Sequence, residues 1–499
     1  MSMSRLEKIL ILTAVVVVLS LVTSCTIVHA VALPKPVVCM HFGSKVPLSL
    51  AEKLIDYAKE LGAKYIRFDI WWSDIEPKEG VFNMTALRYY REIISYMEKK
   101  GIKPIAIIGT GYPQWVRILV AEYYICKLLT LPYIDYNVNH NVNYMYKTID
   151  TSNYSGTGLN ISKILSIVNY YRHNRTFILQ EFKFVNYIRK KCPILYYASL
   201  KGCLTLNDIK KILKECPWVP IKPDAIEIAA TEGCVPITPF PLEYIELKKE
   251  LQLGMHKRTM SDIVIKPNQL DVCGIYMLIV LRAAYQYAKV VSSYIGDLVN
   301  YYQLGNELNN PFVDIIPAEY DAAYIYALAR GVAAGDPNSY KTIVNIFAFY
   351  KTPWPNIPGW TNTLRSWLNK VGNVIDIVGL DYYPGTWSHT SYNDWKPLDE
   401  LIAIAKQYHK IPAVMETGYP SYGHGHTEEK QKEYIEKAFP AIMQRAEKTH
   451  IAFLSWYMLW DEPGSCEFGY CGWGVLRQDF TKKPAWYELH YWFTNILGK

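Results

Sequence analysis

Ile411-Pro-Ala-Val-Met-Glu416-Thr-Gly-Tyr-Pro420 is a short apolar run that ends on an acid and then turns. Its counterpart lies a hundred residues upstream, in Tyr301-Tyr-Gln-Leu-Gly-Asn-Glu307-Leu-Asn-Asn-Pro311. Each reads as a β-strand followed by turn formers. In a (β/α)8 barrel the C-terminal end of a strand opens onto the active-site face. Two carboxyls on one mouth are the minimum equipment for cleaving a glycosidic bond.

The rest of the chain carries a matching cadence, in which an apolar strand-like run is followed by a stretch of helical period. Strands are expected at Pro36–Gly43, Tyr65–Trp72, Lys103–Thr110, Leu298–Asn306, Lys341–Ala348, Val374–Tyr383, Ile411–Glu416 and Ile451–Trp460. Near-continuous apolar runs suit parallel strands buried on both faces. Eight of them, alternating with helices, predict an α/β fold of the (β/α)8 TIM-barrel type rather than an open doubly wound sheet.

The cadence stops between residues 111 and 271. The expected organisation is therefore a first barrel part at 33–110, an insertion subdomain on the catalytic face at 111–271, and a second barrel part at 272–499. Helical pieces are expected inside the insertion at Ile161–Tyr171, Phe177–Lys190 and Leu206–Glu215. The insertion is rich in Tyr, Asn and Cys, and reads as a lid, a cleft wall or a subunit interface.

Residues 1–32 read as a signal peptide or an N-terminal membrane anchor. Arg5 and Lys8 precede the apolar stretch Ile9–Val22, and Ala30-Val31-Ala32 resembles a cleavage site. Val22-Thr23-Ser24-Cys25 resembles a lipobox, so a lipid tether on Cys25 is an alternative. The expected location is extracellular, secreted or anchored at the cell surface. Ten cysteines suit an oxidising compartment, and Cys466 and Cys471 are close enough to close a small loop. Sequons stand at Asn83, Asn153, Asn160 and Asn174. The net charge of +7 is spread over 499 residues without a basic run, which excludes nucleic acid as the partner.

The expected chemistry needs one carboxyl that stays protonated and one that stays ionised. Glu307 is the candidate acid/base, with Asn306 beside it to hydrogen-bond a sugar hydroxyl. Glu416 is the candidate nucleophile. Arg67, near the end of the second strand, supplies the opposite charge that keeps a nucleophile ionised. Tyr383, ending the sixth strand, supplies a hydrogen bond. Asp381 beside it either binds a hydroxyl or fixes the loop. Trp72, Trp115, Trp387, Trp456, Trp460 and Trp473 are candidate sugar platforms, with Trp456 and Trp460 foremost, because aromatic rings pack on apolar surfaces. His41, ending the first strand, is a subsite candidate. Asp74 and Glu76 read as loop braces, and His424 and His426 as part of a flexible loop. No metal and no cofactor is required.

Taken together, these motifs resemble the clan of retaining glycoside hydrolases on (β/α)8 barrels, which includes cellulases, β-galactosidases, β-xylosidases and endo-β-1,4-galactanases. The resemblance covers about 36–115 and 275–497. It implies an Asn-Glu acid/base at strand four, here Asn306-Glu307, and a nucleophile at strand seven, here Glu416. Ile66-Arg-Phe-Asp-Ile-Trp-Trp-Ser-Asp-Ile-Glu-Pro-Lys-Glu-Gly80 is similar to the clan's strand-two segment, and makes Arg67 the arginine that contacts the nucleophile. Val378-Gly-Leu-Asp-Tyr-Tyr-Pro384 is similar to the galactanases' strand-six segment, and nominates Tyr383 as the supporting tyrosine. Gly472-Trp-Gly-Val-Leu-Arg477 with Lys483-Pro-Ala-Trp486 looks like the clan's ending. The implied function is hydrolysis of a β-linked oligo- or polysaccharide with retention. Two rivals share the same residues: a carbohydrate-binding surface protein on a degenerate barrel, and a transglycosylase.

Overall fold

The structure is a computed structural model that describes residues 32–130, 203–215, 235–236, 274–349, 359–387, 390–464, 466–467 and 469–498. Residues 1–31 and most of the 111–271 segment lie outside these. So do the sequons at Asn153, Asn160 and Asn174 and the expected helices at 161–171 and 177–190. The expected helix at Leu206–Glu215 is present. No helix among the described residues is long and apolar enough to cross a membrane.

Eight parallel strands close into a barrel in sequence order. They are β1 (Lys35–Met40), β2 (Tyr65–Trp71), β3 (Lys103–Thr110), β4 (Tyr301–Leu304), β5 (Lys341–Phe347), β6 (Ile377–Asp381), β7 (Ile411–Thr417) and β8 (Phe453–Trp456). The helices are α1 (Leu48–Leu61), α2 (Met84–Lys99), α3 (Gln114–Thr130), α4 (Gly274–Ile295), α5 (Asp321–Gly335), α6 (Trp360–Val371), α7 (Lys396–Gln407), α8 (Glu428–Ala446) and α9 (Pro484–Tyr491). Between β3 and β4, α3 and α4 pack on each other.

Local signals explain several boundaries. Asn83 starts α2 by accepting from the amides of Thr85 and Ala86, and Thr427 starts α8 by accepting from that of Lys430. Gly62 ends α1 in the left-handed conformation that glycine adopts without a Cβ clash. Strands four, six and eight are shorter than the apolar runs suggest. At β4 the reason is visible. The chain leaves the ladder at Gly305 (φ +75°) and turns through Glu307 (φ +45°).

Side chains alternate across each strand. The outward set, such as Ile66, Phe68 and Ile70 on β2, joins the helices in one continuous core. Each such side chain contributes roughly 1.5–3 kcal/mol on burial. The inward set changes character along the barrel axis. Val37, Tyr65, Ile105, Ile343, Ile377, Ala413 and Phe453 pack on one another as an apolar plug. Gly379 leaves room there, because a Cβ would stand 2.2 Å from Met415 Cγ. Two residues further along the strands the inward positions become Cys39, Arg67, Asn345 and Ser455. Two residues further again they become His41, Asp69, Phe347 and Tyr457. The polar mouth is thus set by strand phase.

Candidate active site

Arg67 is the hub of the mouth. It is 2 % exposed, and its guanidinium fork reaches β7, β4 and the turn after β4. Nη1 donates to Glu416 Oε1 at 2.6 Å, Nε donates to Gln303 Oε1 at 2.6 Å, and Nη2 donates to Asn306 Oδ1 at 2.6 Å. Burial, the largest single influence, pulls the guanidinium pKa down, but the surrounding acidic groups, Glu416 foremost, together outweigh it and hold the pKa above its ordinary value.

Glu416 reaches the mouth through a shift of register. Between β6 and β7 the pairing moves from Leu380↔Val414 to Asp381↔Glu416. This lets Met415 fill the barrel while Glu416 also turns inward. Its second oxygen, Oε2, accepts from the Tyr383 hydroxyl at 2.6 Å. Burial and the negative charge of Glu416 push the Tyr383 pKa well up, so the phenol stays a donor.

Glu307 is held from the opposite side. Asn310 Nδ2 donates to its Oε2 at 2.7 Å, and its own backbone N–H donates to Asn345 Oδ1 at 3.1 Å. Its left-handed φ costs on the order of 1–3 kcal/mol for a residue that is not glycine. The Asn345 bond and the Asn310 N–H to Glu307 O turn fix it there. Asn306 spends its acceptor three times, on Arg67, Gln303 and Asn345. One oxygen from each of Glu307, Asp381 and Glu416 lies within 4.8 Å of the others.

Asp381 sits beneath this pair and is fully buried. Burial first, then the charges of Glu416 and Glu307, push its pKa well above its ordinary value, which favours the protonated form. It accepts from Asn345 Nδ2. Full burial rules out the expected contact with a sugar hydroxyl and leaves the bracing role. A buried acid of raised pKa costs stability above the ordinary carboxylate range and not below it. Asp381→Asn, with the same shape and no acid, is therefore expected to be at least as stable as wild type at pH 7. That advantage should shrink toward pH 4. Thermal unfolding at the two pH values tests this, and clear destabilisation at pH 7 refutes an upward shift at Asp381.

His41 stands at the rim of β1. Its Nδ1 pairs with Asp69 Oδ2 at 2.9 Å, and its Nε2 lies 3.3 Å from the Tyr457 hydroxyl. Burial pulls its pKa down, but Asp69 outweighs this, with smaller contributions from Glu462 and Glu416, and raises it to about 9. Asp69 is correspondingly lowered: burial works against it, and the bond to His41 wins. The raised histidine contributes stability in full below its unfolded pKa of roughly 6.5, and this is lost as pH rises through 9. The decline in melting temperature between those values should flatten in His41→Gln. An unchanged slope would mean the pair is not ionic.

The tryptophans need correction. Trp456 and Trp72 are both fully buried. Trp456 falls on the outward phase of β8, and Trp72 follows β2 as the first residue of a short helical turn, so both pack into the helical layer. Trp456 lies against Tyr434 and Phe439 and donates to Met458 O. Trp72 stacks on Tyr287 and donates to Glu76. Trp460 is stacked on Phe480, with planes 2° apart, and Phe480 in turn stacks on Tyr57 of α1. Full burial leaves Trp456 and Trp72 no face for a sugar. Trp115 is tied to the Glu76 carbonyl. Trp387 and Trp473 stack on each other, and Trp473 meets Tyr383 edge-on. The inward aromatic at the mouth end of β8 is Tyr457, just past the strand and one residue from the tryptophan that the sequence suggested.

Gln303, Asn345 and Asn310 went unnoticed in the sequence. Gln303 and Asn345 had a signal, because each is a lone amide inside an apolar strand and so demands a buried partner. Asp74 and Glu76 act as braces: Asp74 accepts from Ser44 N and Tyr90, and Glu76 from Trp72 and Gly80 N. The three-carboxylate spacing is the one grouping among the described residues that could hold a cation. Arg67, Tyr383 and Asn310 already occupy its two glutamates. A disulfide, Cys466–Cys471, closes the hairpin that carries Tyr470 beside Trp387.

Residues 281–456 match the model of glycosyl hydrolase family 53, roughly a third of the chain. A stretch of 53 residues is 43 % identical to beta-glucosidase 26 of Oryza sativa subsp. japonica. That match spans 10 % of this chain and 10 % of that protein's length. Among solved structures, GH5_18 from Streptomyces cattleya in complex with GlcNAc is 10 % identical, with 93 % of this chain and 82 % of that one covered and a TM-score of 0.49. An exo-beta-1,4-mannosidase from Opitutaceae bacterium strain TAV5 is 11 % identical, with 94 % and 62 % covered and a TM-score of 0.47. With a closed eight-stranded barrel and a family 53 match that takes in Glu307 and Glu416, the chain is similar to the glycoside hydrolases built on (β/α)8 barrels.

Proposed function

We propose that the protein is a retaining β-glycoside hydrolase in which Glu416 is the nucleophile and Glu307 the acid/base. The observation that carries this reading is the separation of the two carboxyls, whose oxygens approach within 4.8 Å. Retaining enzymes hold their carboxyls roughly 5–5.5 Å apart, whereas inverting ones need about 6.5–9.5 Å to admit water.

The roles follow from the partners. Glu416 is gripped at one oxygen by Arg67 and at the other by Tyr383. That fixes the carboxylate's orientation and aims a lone pair at the anomeric carbon. Glu307, steadied by the bond from Asn310 to its Oε2, carries the proton to the leaving oxygen. After the glycosyl–enzyme ester forms, Glu307 takes a proton from water, which attacks the same carbon and frees Glu416. Asn306 has its acceptor fully used, so its Nδ2 is what remains for a sugar hydroxyl. His41 lines the rim as a subsite residue.

The substrate class is a β-linked oligo- or polysaccharide. The likeness of Val378–Pro384 to the galactanases makes β-1,4-linked galactan the first polymer to try. The basic-then-apolar N-terminus and the Cys466–Cys471 bridge support an exported enzyme. Proton NMR of the first product formed from an active β-glycoside tests the mechanism. The β-anomer should appear first and then mutarotate. Initial release of the α-anomer would establish inversion and overturn the assignment of Glu416.

A further inference from the structure

Arg67, Asp69 and Trp71 share the inward face of β2, and only the last of them is exposed. Trp71 is 37 % accessible, the one exposed tryptophan among the described residues. Glycines flank its ring. A Cβ on Gly43 would lie 3.6 Å from Trp71 Cζ3, and one on Gly111 would lie 2.9 Å from Cβ and Cγ. The indole therefore rests against two loops that have no side chains of their own at that point. Its indole N–H has no protein partner among the described residues, whereas those of Trp72, Trp115, Trp456 and Trp473 are each bonded. A large apolar ring with an unspent donor at its edge matches a sugar ring, which has apolar C–H faces and a hydroxyl rim.

We propose that Trp71 is the stacking platform of a second sugar-binding position, so that the enzyme acts on chains of two or more β-linked sugars in preference to single-sugar glycosides. The inference rests on the hydrolase reading above and deepens it. Alternate residues of a strand are about 6.6 Å apart along its axis, so Trp71 stands roughly 13 Å outward of Arg67, which grips Glu416. That offset carries it past the ring at the reacting carbon. The partly exposed His41–Asp69 pair lies between, with polar atoms for the hydroxyls of the intervening stretch. Trp71 makes no contact with the reacting atoms, and it acts through binding.

The test compares wild type with Trp71→Ala and Trp71→Phe on a β-linked oligosaccharide series of two to five sugars and on the matching p-nitrophenyl monosaccharide. In Trp71→Ala, kcat/KM for the longer oligosaccharides should fall at least ten-fold more than for the aryl monosaccharide, chiefly through KM. Trp71→Phe should recover most of that difference. Equal losses on both substrate types, or failure of Phe to rescue, would overturn the platform. So would a lowered melting temperature with unchanged relative rates, because the ring would then serve packing alone. Wild type inert on every substrate would instead sink the hydrolase reading itself.

Discussion

Glu416→Ala is expected to lower kcat on an aryl β-glycoside by on the order of 10^4-fold or more, about 5.5 kcal/mol of transition-state stabilisation. The covalent route disappears with its nucleophile. The space left behind faces Arg67 Nη1, which loses its counter-charge and becomes a ready anion site. Added azide should therefore restore turnover and give the α-glycosyl azide, since it attacks from the side that Glu416 occupied. Glu416→Gln keeps the shape and serves as the folding control. Activity within ten-fold of wild type in either variant, or a β-glycosyl azide as product, would remove Glu416 from the nucleophile's role.

The second large effect is at Arg67. Arg67→Met strips the cation from Glu416 and leaves the acceptors of Gln303 and Asn306 short of a donor. Removing one partner of a buried ion pair costs roughly 3–5 kcal/mol, because the other charge is left uncompensated. The expected result is a lower denaturant midpoint, together with a kcat loss on the order of 10^3-fold, about 4 kcal/mol. Lysine is not a substitute, because a point charge cannot serve three directed partners at once. The coupling is readable in a cycle: Arg67→Met with Glu416→Gln should be more stable than Arg67→Met alone. Strictly additive losses would show that the 2.6 Å contact carries no net interaction.

Why so much of this was legible in the sequence can be traced to particular residues. The barrel shows in the chain because each buried strand writes its own apolar run, and Lys103–Thr110 was placed to the residue. Glu307, Glu416, Arg67 and Tyr383 interrupt such runs with polar groups, which demands a partner or a task. What failed was phase. Trp72 and Trp456 are each one residue from an inward position, and a one-residue step moves a strand side chain from mouth to core. Composition favoured the tryptophans, while the pleat favoured Trp71 and Tyr457. Asn310 could not be read at all, because its role depends on the turn that swings Glu307 into the left-handed region. The role of Asp381 was undecided for a similar reason, since sequence shows an acid but not the walls around it.

The fork of Arg67 has one more consequence. It starts on a strand from the front portion of the polypeptide and ends on groups from the back portion, 236, 239 and 349 positions away. No fragment holding only one side of that divide can assemble the reactive pair in working order. Turnover is thus a sensor of ring completion: an intermediate with seven staves in place should be silent, and the first measurable catalysis during refolding should coincide with the last strand docking.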